Sequence, residues 1–139
     1  MNNFLVEHKL FIQARQEIIY SYFVQPQKLS QWLGRSANLD PKYNGGLRIN
    51  MNQNDFVQGN YRILEPYSRI CFTWGWDGSE SHPPGSSIVE IILDPHDNGT
   101  WLTLTHAAIP DEELDCHNQG WEQNLFRLKN LLQEGVAYG

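Results

Sequence analysis

The fold is decided by residues 99–132, GTWLTLTHAAIPDEELDCHNQGWEQNLFRLKNLL, where the spacing of the inward-facing residues changes. Leu102, Leu104 and His106 occupy alternate positions, which predicts a strand with one buried face. Beyond Pro110 the spacing changes to steps of three and four, which is typical of an amphipathic helix. The residues at those steps are Leu114, His117, Trp121, Leu125, Leu128 and Leu132. The stretch therefore predicts a last strand followed by a helix of about six turns.

The residues before this stretch alternate in short runs that are separated by turn signals such as Gly45-Gly46 and Asp97-Asn98-Gly99. Such a pattern predicts an antiparallel meander. Its strands are expected over residues 47–51, 57–63, 70–76, 88–93 and 101–107. Residues 76–87 are polar and contain Gly78, Pro83 and Pro84, which predicts a loop. Such a loop can form the lip of a cavity or a plain surface connection, and we favour the plain connection.

The N-terminal third predicts one strand and two short helices. Val6 to Ile12 alternates as a strand does, and Gln16 to Phe23 has helical spacing. A second helix is expected over Gln27 to Leu33, because Pro26 suits a first helical turn and Gly34 a helix end.

The long C-terminal helix is expected to begin after Asp111, a candidate cap, and to end at Gly135. The helix and the sheet each have one apolar side to bury. The simplest packing therefore lays the helix across the sheet. This arrangement is an α+β fold.

Composition narrows the possible functions. The length of 139 residues suits one domain, residues 1–139. The net charge is −6 and the basic residues are scattered, which argues against a nucleic-acid binder. There is no apolar run long enough for a membrane span, and Met1-Asn2-Asn3-Phe4 does not begin a signal peptide. We therefore expect a cytoplasmic protein in which Cys71 and Cys116 are free thiols.

The order of these elements and several local strings resemble the START-like helix-grip superfamily, also called SRPBCC. Within it, the sequence is similar to the branch named for the activator of the heat-shock-protein-90 ATPase. The strings that carry the resemblance are Ile12-Gln13-Ala14, residues 26–34 (PQKLSQWLG), residues 45–49 (GGLRI), Gly59, Glu65-Pro66, residues 69–74 (RICFTW), residues 99–106 (GTWLTLTH) and His117-x-x-Gly120-Trp121.

The resemblance implies a curved antiparallel sheet that grips the C-terminal helix, with a cavity between them. Relatives bind lipids, sterols, polyketides and other apolar molecules in that cavity, and some are enzymes such as polyketide cyclases. The eukaryotic co-chaperone carries such a domain at the end of a longer chain.

The candidate ligand-binding residues are those expected between sheet and helix. A pocket with apolar walls and a few polar groups is the functional interpretation, and a packed aromatic core is the alternative. The predicted set is Trp32, Leu47, Ile49, Tyr61, Phe72, Trp74, Trp76, Leu104, His106, His117 and Trp121.

Two of these candidates, His106 on the last strand and His117 on the helix, are expected to point inward near the same end of the fold. They could orient a polar ligand group or exchange protons near neutral pH. The alternative is that both are structural and bonded to neighbours such as Glu113.

The sequence predicts no other chemistry. The histidines and cysteines lack the close spacing of zinc sites, and the adjacent Cys116 and His117 point about 100° apart on a helix. There is no Gly-x-Ser-x-Gly elbow and no phosphate-binding glycine loop. We therefore expect no metal, no cofactor and no catalytic nucleophile.

Three functions remain. The first is a domain that binds an apolar small molecule. The second is a protein–protein module with a chaperone or another protein as partner, and the third is a cyclase-like enzyme that uses the two histidines. The chain is expected to be a monomer or a homodimer, since Phe11, Cys71 and Trp101 are predicted on the outer face of the sheet.

Overall fold

A computed structural model describes residues 5–138, and their side chains as far as Gln133. Met1 to Phe4, on which the signal-peptide prediction rested, lie outside the described residues. The strands are β1 Leu5–Ile12, β2 Ser36–Leu39, β3 Gly46–Asn50, β4 Phe56–Glu65, β5 Arg69–Trp74, β6 Ser87–His96 and β7 Gly99–Ala107. The helices are α1 Gln16–Val24, α2 Pro26–Leu29, a 3-10 turn at Asp111–Glu113, and α3 Leu114–Tyr138.

The seven strands form one antiparallel sheet in the order β1-β7-β6-β5-β4-β3-β2. The sheet is curved and the long helix α3 lies against it, so the predicted α+β helix-grip fold is confirmed. The apolar stripe of α3 is buried, with Trp121, Leu125 and Leu128 at most 3% exposed. These side chains share one continuous core with Leu102 and Leu104 of β7.

Both predicted ends of α3 are wrong. Asp111 lies inside the 3-10 turn, where the Glu113 N–H donates to the Pro110 carbonyl, and Pro110 precedes the turn. The helix also continues through Gly135 to Tyr138. A glycine costs only about 1 kcal/mol inside a helix, so it does not have to end one.

The second helix is shorter than predicted. It covers only Pro26–Leu29. Trp32 lies beyond the end of this helix and is nevertheless buried, with 1% of its surface exposed. The Ser30 hydroxyl donates to the Pro26 carbonyl, and Gly34 then turns the chain with a φ of +75°. The next residues form β2, which the sequence analysis missed. Its four residues pair only with β3 at the edge of the sheet.

A register shift in β4 changes which side chains face the core. Tyr61 pairs with Phe72, but Ile63 pairs with Cys71, so Arg62 is an extra residue on its strand. Ile63 therefore lies on the face opposite to Tyr61, and the predicted alternation through residue 63 is wrong. Leu64 takes the inward position instead and packs against the core.

The outer face of the sheet differs from the expectation at one residue. Cys71 does lie on the face opposite to Phe72, but it is only 6% exposed. Phe11 and Trp101 remain half-buried and pack edge to face at 5.3 Å. Among the described helices, none is long and apolar enough to cross a membrane.

Candidate functional site

A cavity of about 210 Å³ lies between the end of β5 and the first half of α3. Its walls are mostly apolar, and exposed Asn52 and Cys116 mark where it reaches the surface. The lining residues are Leu33, Met51, Asn52, Trp74, Trp76, Cys116, His117, Gly120, Trp121 and Asn124. A larger depression of about 440 Å³ lies elsewhere, beside the polar residues Arg48, Gln58 and Asn60 of β3 and β4.

The structure brings four of the predicted ligand-binding residues together around the smaller cavity. They are Trp74, Trp76, His117 and Trp121. Trp74 is central, since its ring centre lies 6.0 Å from that of Trp76 and 5.1 Å from that of Trp121. Six others are buried in the core and do not line this cavity: Trp32, Leu47, Ile49, Tyr61, Phe72 and Leu104.

The polar edges of two core aromatics are used within the fold. The Trp32 indole N–H donates to the Tyr22 carbonyl at 3.0 Å, and the Tyr61 hydroxyl donates to the Phe23 carbonyl at 3.3 Å. Burial raises the pKa of Tyr61 far above its ordinary value. The first bond ties α1 to the segment after α2, and the second ties α1 to β4 of the sheet.

His106 is buried behind the cavity wall, with both ring nitrogens bonded. Trp121 donates its indole N–H to Nδ1 of His106 at 3.0 Å. Since Nδ1 accepts, a neutral His106 carries its proton on Nε2, which lies 2.8 Å from the Ser87 hydroxyl oxygen. Burial, helped by the nearby His117 and His82, lowers the pKa of His106 to about 2. It is therefore neutral at physiological pH.

His117 lies on the cavity side of the same cluster, 5.3 Å from His106 between ring centres. Its Nδ1 bonds the backbone carbonyl of Glu113 at 3.0 Å, and its Nε2 accepts the Trp76 indole N–H at 3.2 Å. Burial lowers the pKa of His117, although the carbonyl of Glu113 opposes the shift. The expected convergence of the two histidines is thus present, and so is the expected contact with Glu113.

A third histidine, His82, completes the cluster, and the sequence analysis placed it in a plain surface loop. Its side chain is fully buried, and its Nε2 lies 2.7 Å from the Ser87 hydroxyl oxygen. Its Nδ1 lies 2.8 Å from Oε1 of Glu113. The loop folds inward because the Trp76 backbone N–H donates to the His82 carbonyl at 2.8 Å.

Ser87 connects His82, His106 and the backbone of Trp74. Its hydroxyl oxygen contacts the ring nitrogens of His82 and His106, and it donates to the Trp74 carbonyl at 2.9 Å. A hydroxyl has one proton to donate, so both histidines then donate to Ser87. With Nε2 donating to Ser87, His82 faces the Glu113 carboxylate with Nδ1, so the carboxylate holds the other side of the ring.

Comparison with known proteins identifies the family. Residues 13–133 match the family described as Activator of Hsp90 ATPase homolog 1-like protein, and the match covers most of the chain. The chain belongs to this family. No curated protein matches this chain significantly.

Solved structures with the same fold include an AHSA1-like protein from Rhizobium etli, at 35% identity and a TM-score of 0.71, covering 91% of this chain and 79% of that one. The Aha1 dimer from Colwellia psychrerythraea has 21% identity and a TM-score of 0.79, covering 92% and 95%. DynU16, a protein of the dynemicin biosynthetic locus, has 20% identity and a TM-score of 0.83. The alignment covers 96% of this chain and about half, 49%, of DynU16.

In this AHSA1-like domain, the histidine cluster is better suited to holding side chains in place than to exchanging protons with a ligand. His106 has no free nitrogen and does not line the cavity. His117 does line the cavity, but the Trp76 indole occupies its accepting nitrogen. A ligand could reach that nitrogen only after Trp76 moves.

One residue that lines the cavity has a donor without a partner among the described residues. The indole N–H of Trp74 is buried and makes no hydrogen bond to the residues that the structure describes. Trp74 is 2% exposed, so water from the bulk does not reach this nitrogen freely.

Metal-ligating side chains also converge at one place among the described residues. His82, Glu113 and His117 each offer one donor atom, and these atoms all lie within 4.8 Å of one another. The three residues are far apart in sequence, so the spacing rule that predicted no metal site could not detect them. No periodic pattern singles out His82 either, because a loop has no repeat that reports burial.

Proposed function

We propose that this AHSA1-like domain binds a compact, mainly apolar small molecule in the cavity between β5 and α3. The observation that carries the proposal is Trp74, which lines this cavity and whose buried indole N–H has no partner among the described residues. An unpaired buried donor costs about 1–3 kcal/mol. A ligand oxygen that accepts this hydrogen bond would recover much of that free energy.

The size and walls of the cavity support a ligand with one or two rings. A cavity of roughly 150 Å³ is enough for benzene, whereas drug-sized molecules occupy roughly 300–1,000 Å³. At about 210 Å³, this cavity lies nearer the lower figure. Three indoles supply flat apolar surface, which favours an aromatic or alicyclic ligand. The ligand class we propose is therefore a small ring compound that carries a carbonyl or ether oxygen.

The comparisons support the fold on which this proposal rests, and they do not identify a ligand. DynU16 shares the fold and comes from a biosynthetic locus. At 20% identity this likeness concerns the fold alone, so it does not transfer a substrate to this chain.

The test uses two probes of equal size that differ in one acceptor. Acetophenone carries a carbonyl oxygen, and cumene has the same number of heavy atoms without it. We expect both to bind in ligand-detected NMR titrations, with acetophenone about 2- to 12-fold tighter, as one net hydrogen bond provides. In the Trp74→Phe variant the ratio of the two dissociation constants should fall to near one.

The control is Trp101→Phe, which changes an indole on the outer face of the sheet and should leave the ratio unchanged. Failure of both probes to bind would overturn the proposal if native mass spectrometry of the purified protein also shows no bound small molecule. Equal affinity for the two probes in the unmodified protein would overturn the role of Trp74.

A protein–protein role is the second candidate, favoured by the family description and by the Aha1 dimer among the solved structures. The partner would be an Hsp90-type chaperone. Adding the purified domain to a purified Hsp90 should then raise its ATPase rate, and an unchanged rate together with no co-sedimentation would reject this candidate.

A further inference from the structure

We propose that His82, Glu113 and His117 form a binding site for a divalent transition-metal ion. The three residues come from the loop before β6, the 3-10 turn and the first turn of α3. Their donor atoms, one from each residue, lie within 4.8 Å of one another. His82 and His117 are buried and Glu113 is half-buried, so the set is part of the folded interior.

Each proposed ligand is held by a hydrogen bond on its far side. Nε2 of His82 bonds the Ser87 hydroxyl at 2.7 Å, and Nδ1 of His117 bonds the Glu113 carbonyl at 3.0 Å. The second carboxylate oxygen of Glu113 accepts from the Ser81 hydroxyl at 3.2 Å. Histidine ligands of metals nearly always donate their other N–H to a carbonyl, carboxylate or water, and this fixes the nitrogen that faces the ion.

These supports select the ligating atoms. Nε2 of His82 and Nδ1 of His117 are held by these supports. The metal would therefore take Nδ1 of His82 and Nε2 of His117, in place of their present partners Glu113 and Trp76. The third ligand is Oε1 of Glu113, which lies 2.8 Å from Nδ1 of His82. Ligand atoms of a tetrahedral zinc site are about 3.3 Å apart, given bonds of roughly 2.0–2.1 Å. A small outward movement of the half-buried Glu113 side chain would lengthen the distance from its Oε1 to Nδ1 of His82 from 2.8 Å to that spacing.

The donor types select the class of ion. Two imidazoles and one carboxylate suit zinc, cobalt or nickel, whereas calcium and magnesium prefer oxygen ligands. Three protein ligands leave at least one further position for water or a bound molecule. The open depression beside Glu113 and His117 has room for it.

Metal binding must replace two existing bonds, His82 to Glu113 and Trp76 to His117, and the second makes the proposal testable. The Trp76 indole N–H currently occupies Nε2 of His117 at 3.2 Å. A metal at Nε2 must displace that indole. Trp76→Phe removes the competitor without removing a ligand, so it should tighten zinc binding by about 2- to 12-fold, the effect of one net hydrogen bond.

The experiment is calorimetric titration of the whole, chelator-treated protein with Zn²⁺, and optical titration with Co²⁺. We expect one equivalent of each ion, and for Co²⁺ a visible absorption spectrum of nitrogen and oxygen ligation. Glu113→Gln keeps the size of a half-buried side chain and should weaken Zn²⁺ binding at least tenfold. Glu112→Gln alters the exposed neighbour in the same turn and should leave binding unchanged.

Three results would contradict the proposal or its choice of ligating atoms. The first is equal Zn²⁺ affinity in Glu113→Gln and Glu112→Gln, since the carboxylate would then not be a ligand. The second is loss of binding in Cys116→Ser, because the exposed thiol beside His117 would then be holding the ion. Weaker binding in Trp76→Phe would also contradict the assignment of Nε2. Circular dichroism of each variant confirms that the comparison is between folded proteins.

Discussion

Trp121 of α3 donates its indole N–H to Nδ1 of His106 on β7 at 3.0 Å, so a buried hydrogen bond joins the long helix to the sheet. Most of the contact between these two layers is apolar and has no preferred register. A single directional bond between buried groups fixes both side chains, because leaving either group unpaired costs more than the bond itself contributes. The same indole forms part of the cavity wall.

Replacing Trp121 with Phe should destabilise the domain by about 2–4 kcal/mol. The change removes buried volume and leaves Nδ1 of His106 without a donor. Urea denaturation measures the free energy of unfolding. The matched control is Phe126→Leu on the same helix, where the side chain is 63% exposed and the expected change is within about 0.5 kcal/mol. Equal effects of the two substitutions would contradict the importance of the Trp121–His106 bond.

Ser87→Ala tests the centre of the polar cluster. The substitution leaves one ring nitrogen of His82 and one of His106 without a partner, and we expect a loss of about 2–5 kcal/mol. The neighbouring Ser86 is exposed and bonds only the Pro83 carbonyl, so Ser86→Ala should cost below about 1 kcal/mol. Thermal and urea unfolding of the two variants compare them directly. A Ser87 variant as stable as the Ser86 variant would mean that the histidines find other partners.

The free energy of unfolding should fall when the pH drops below the ordinary histidine pKa of 6.5. Burial lowers the pKa of His106 to about 2, so this ring stays neutral in the folded state while the unfolded chain takes up a proton. The neutral His106 ring makes its full contribution to the free energy of unfolding above pH 6.5. Below that pH, the contribution falls by about 1.4 kcal/mol per pH unit.

Urea denaturation of the chelator-treated protein between about pH 6.5 and 5 measures that slope, in a range where most carboxylates remain ionised. His106→Gln should reduce the slope of the unfolding free energy against pH by up to about 1.4 kcal/mol per pH unit, the contribution of one proton. His96→Gln, which alters an exposed histidine on the β6–β7 hairpin, should keep it. A slope that is the same in the protein and in His106→Gln would show that another group titrates.

Periodic segments could be predicted from the sequence because burial repeats with the geometry of the backbone. The alternation of Leu102, Leu104 and His106 identified the inner face of β7, and the steps from Leu114 to Leu132 identified the buried stripe of α3. Placing His106 and His117 near each other followed from those two periods. The extra residue at Arg62 broke the rule, since a bulge reverses every later side chain and has no clear composition signal.

The most informative polar residue could not be predicted for a different reason. His82 is buried by tertiary contacts with Ser87 and Glu113, in a loop whose composition is typical of exposed turns. Nor can a sequence distinguish a filled interior from a cavity, because a Trp-rich stripe suits both. That question depends on how closely Trp74, Trp76 and Trp121 approach, and the structure leaves about 210 Å³ among the lining residues.

Gly59 is predicted to be the least replaceable glycine of the sheet, and Gly46 on the neighbouring strand is its control. A side-chain carbon at Gly59 would lie 1.8 Å from the Thr73 carbonyl oxygen of β5, whereas one at Gly46 would meet nothing within 4 Å. Gly59→Ala must therefore separate β4 from β5 and should cost about 2–4 kcal/mol, the range of a severe steric change. Gly46→Ala should change stability by less than about 1 kcal/mol. Because β5 carries Trp74, Gly59→Ala should also weaken binding of acetophenone. Normal binding by a destabilised Gly59 variant would show that the cavity does not depend on the spacing of these strands.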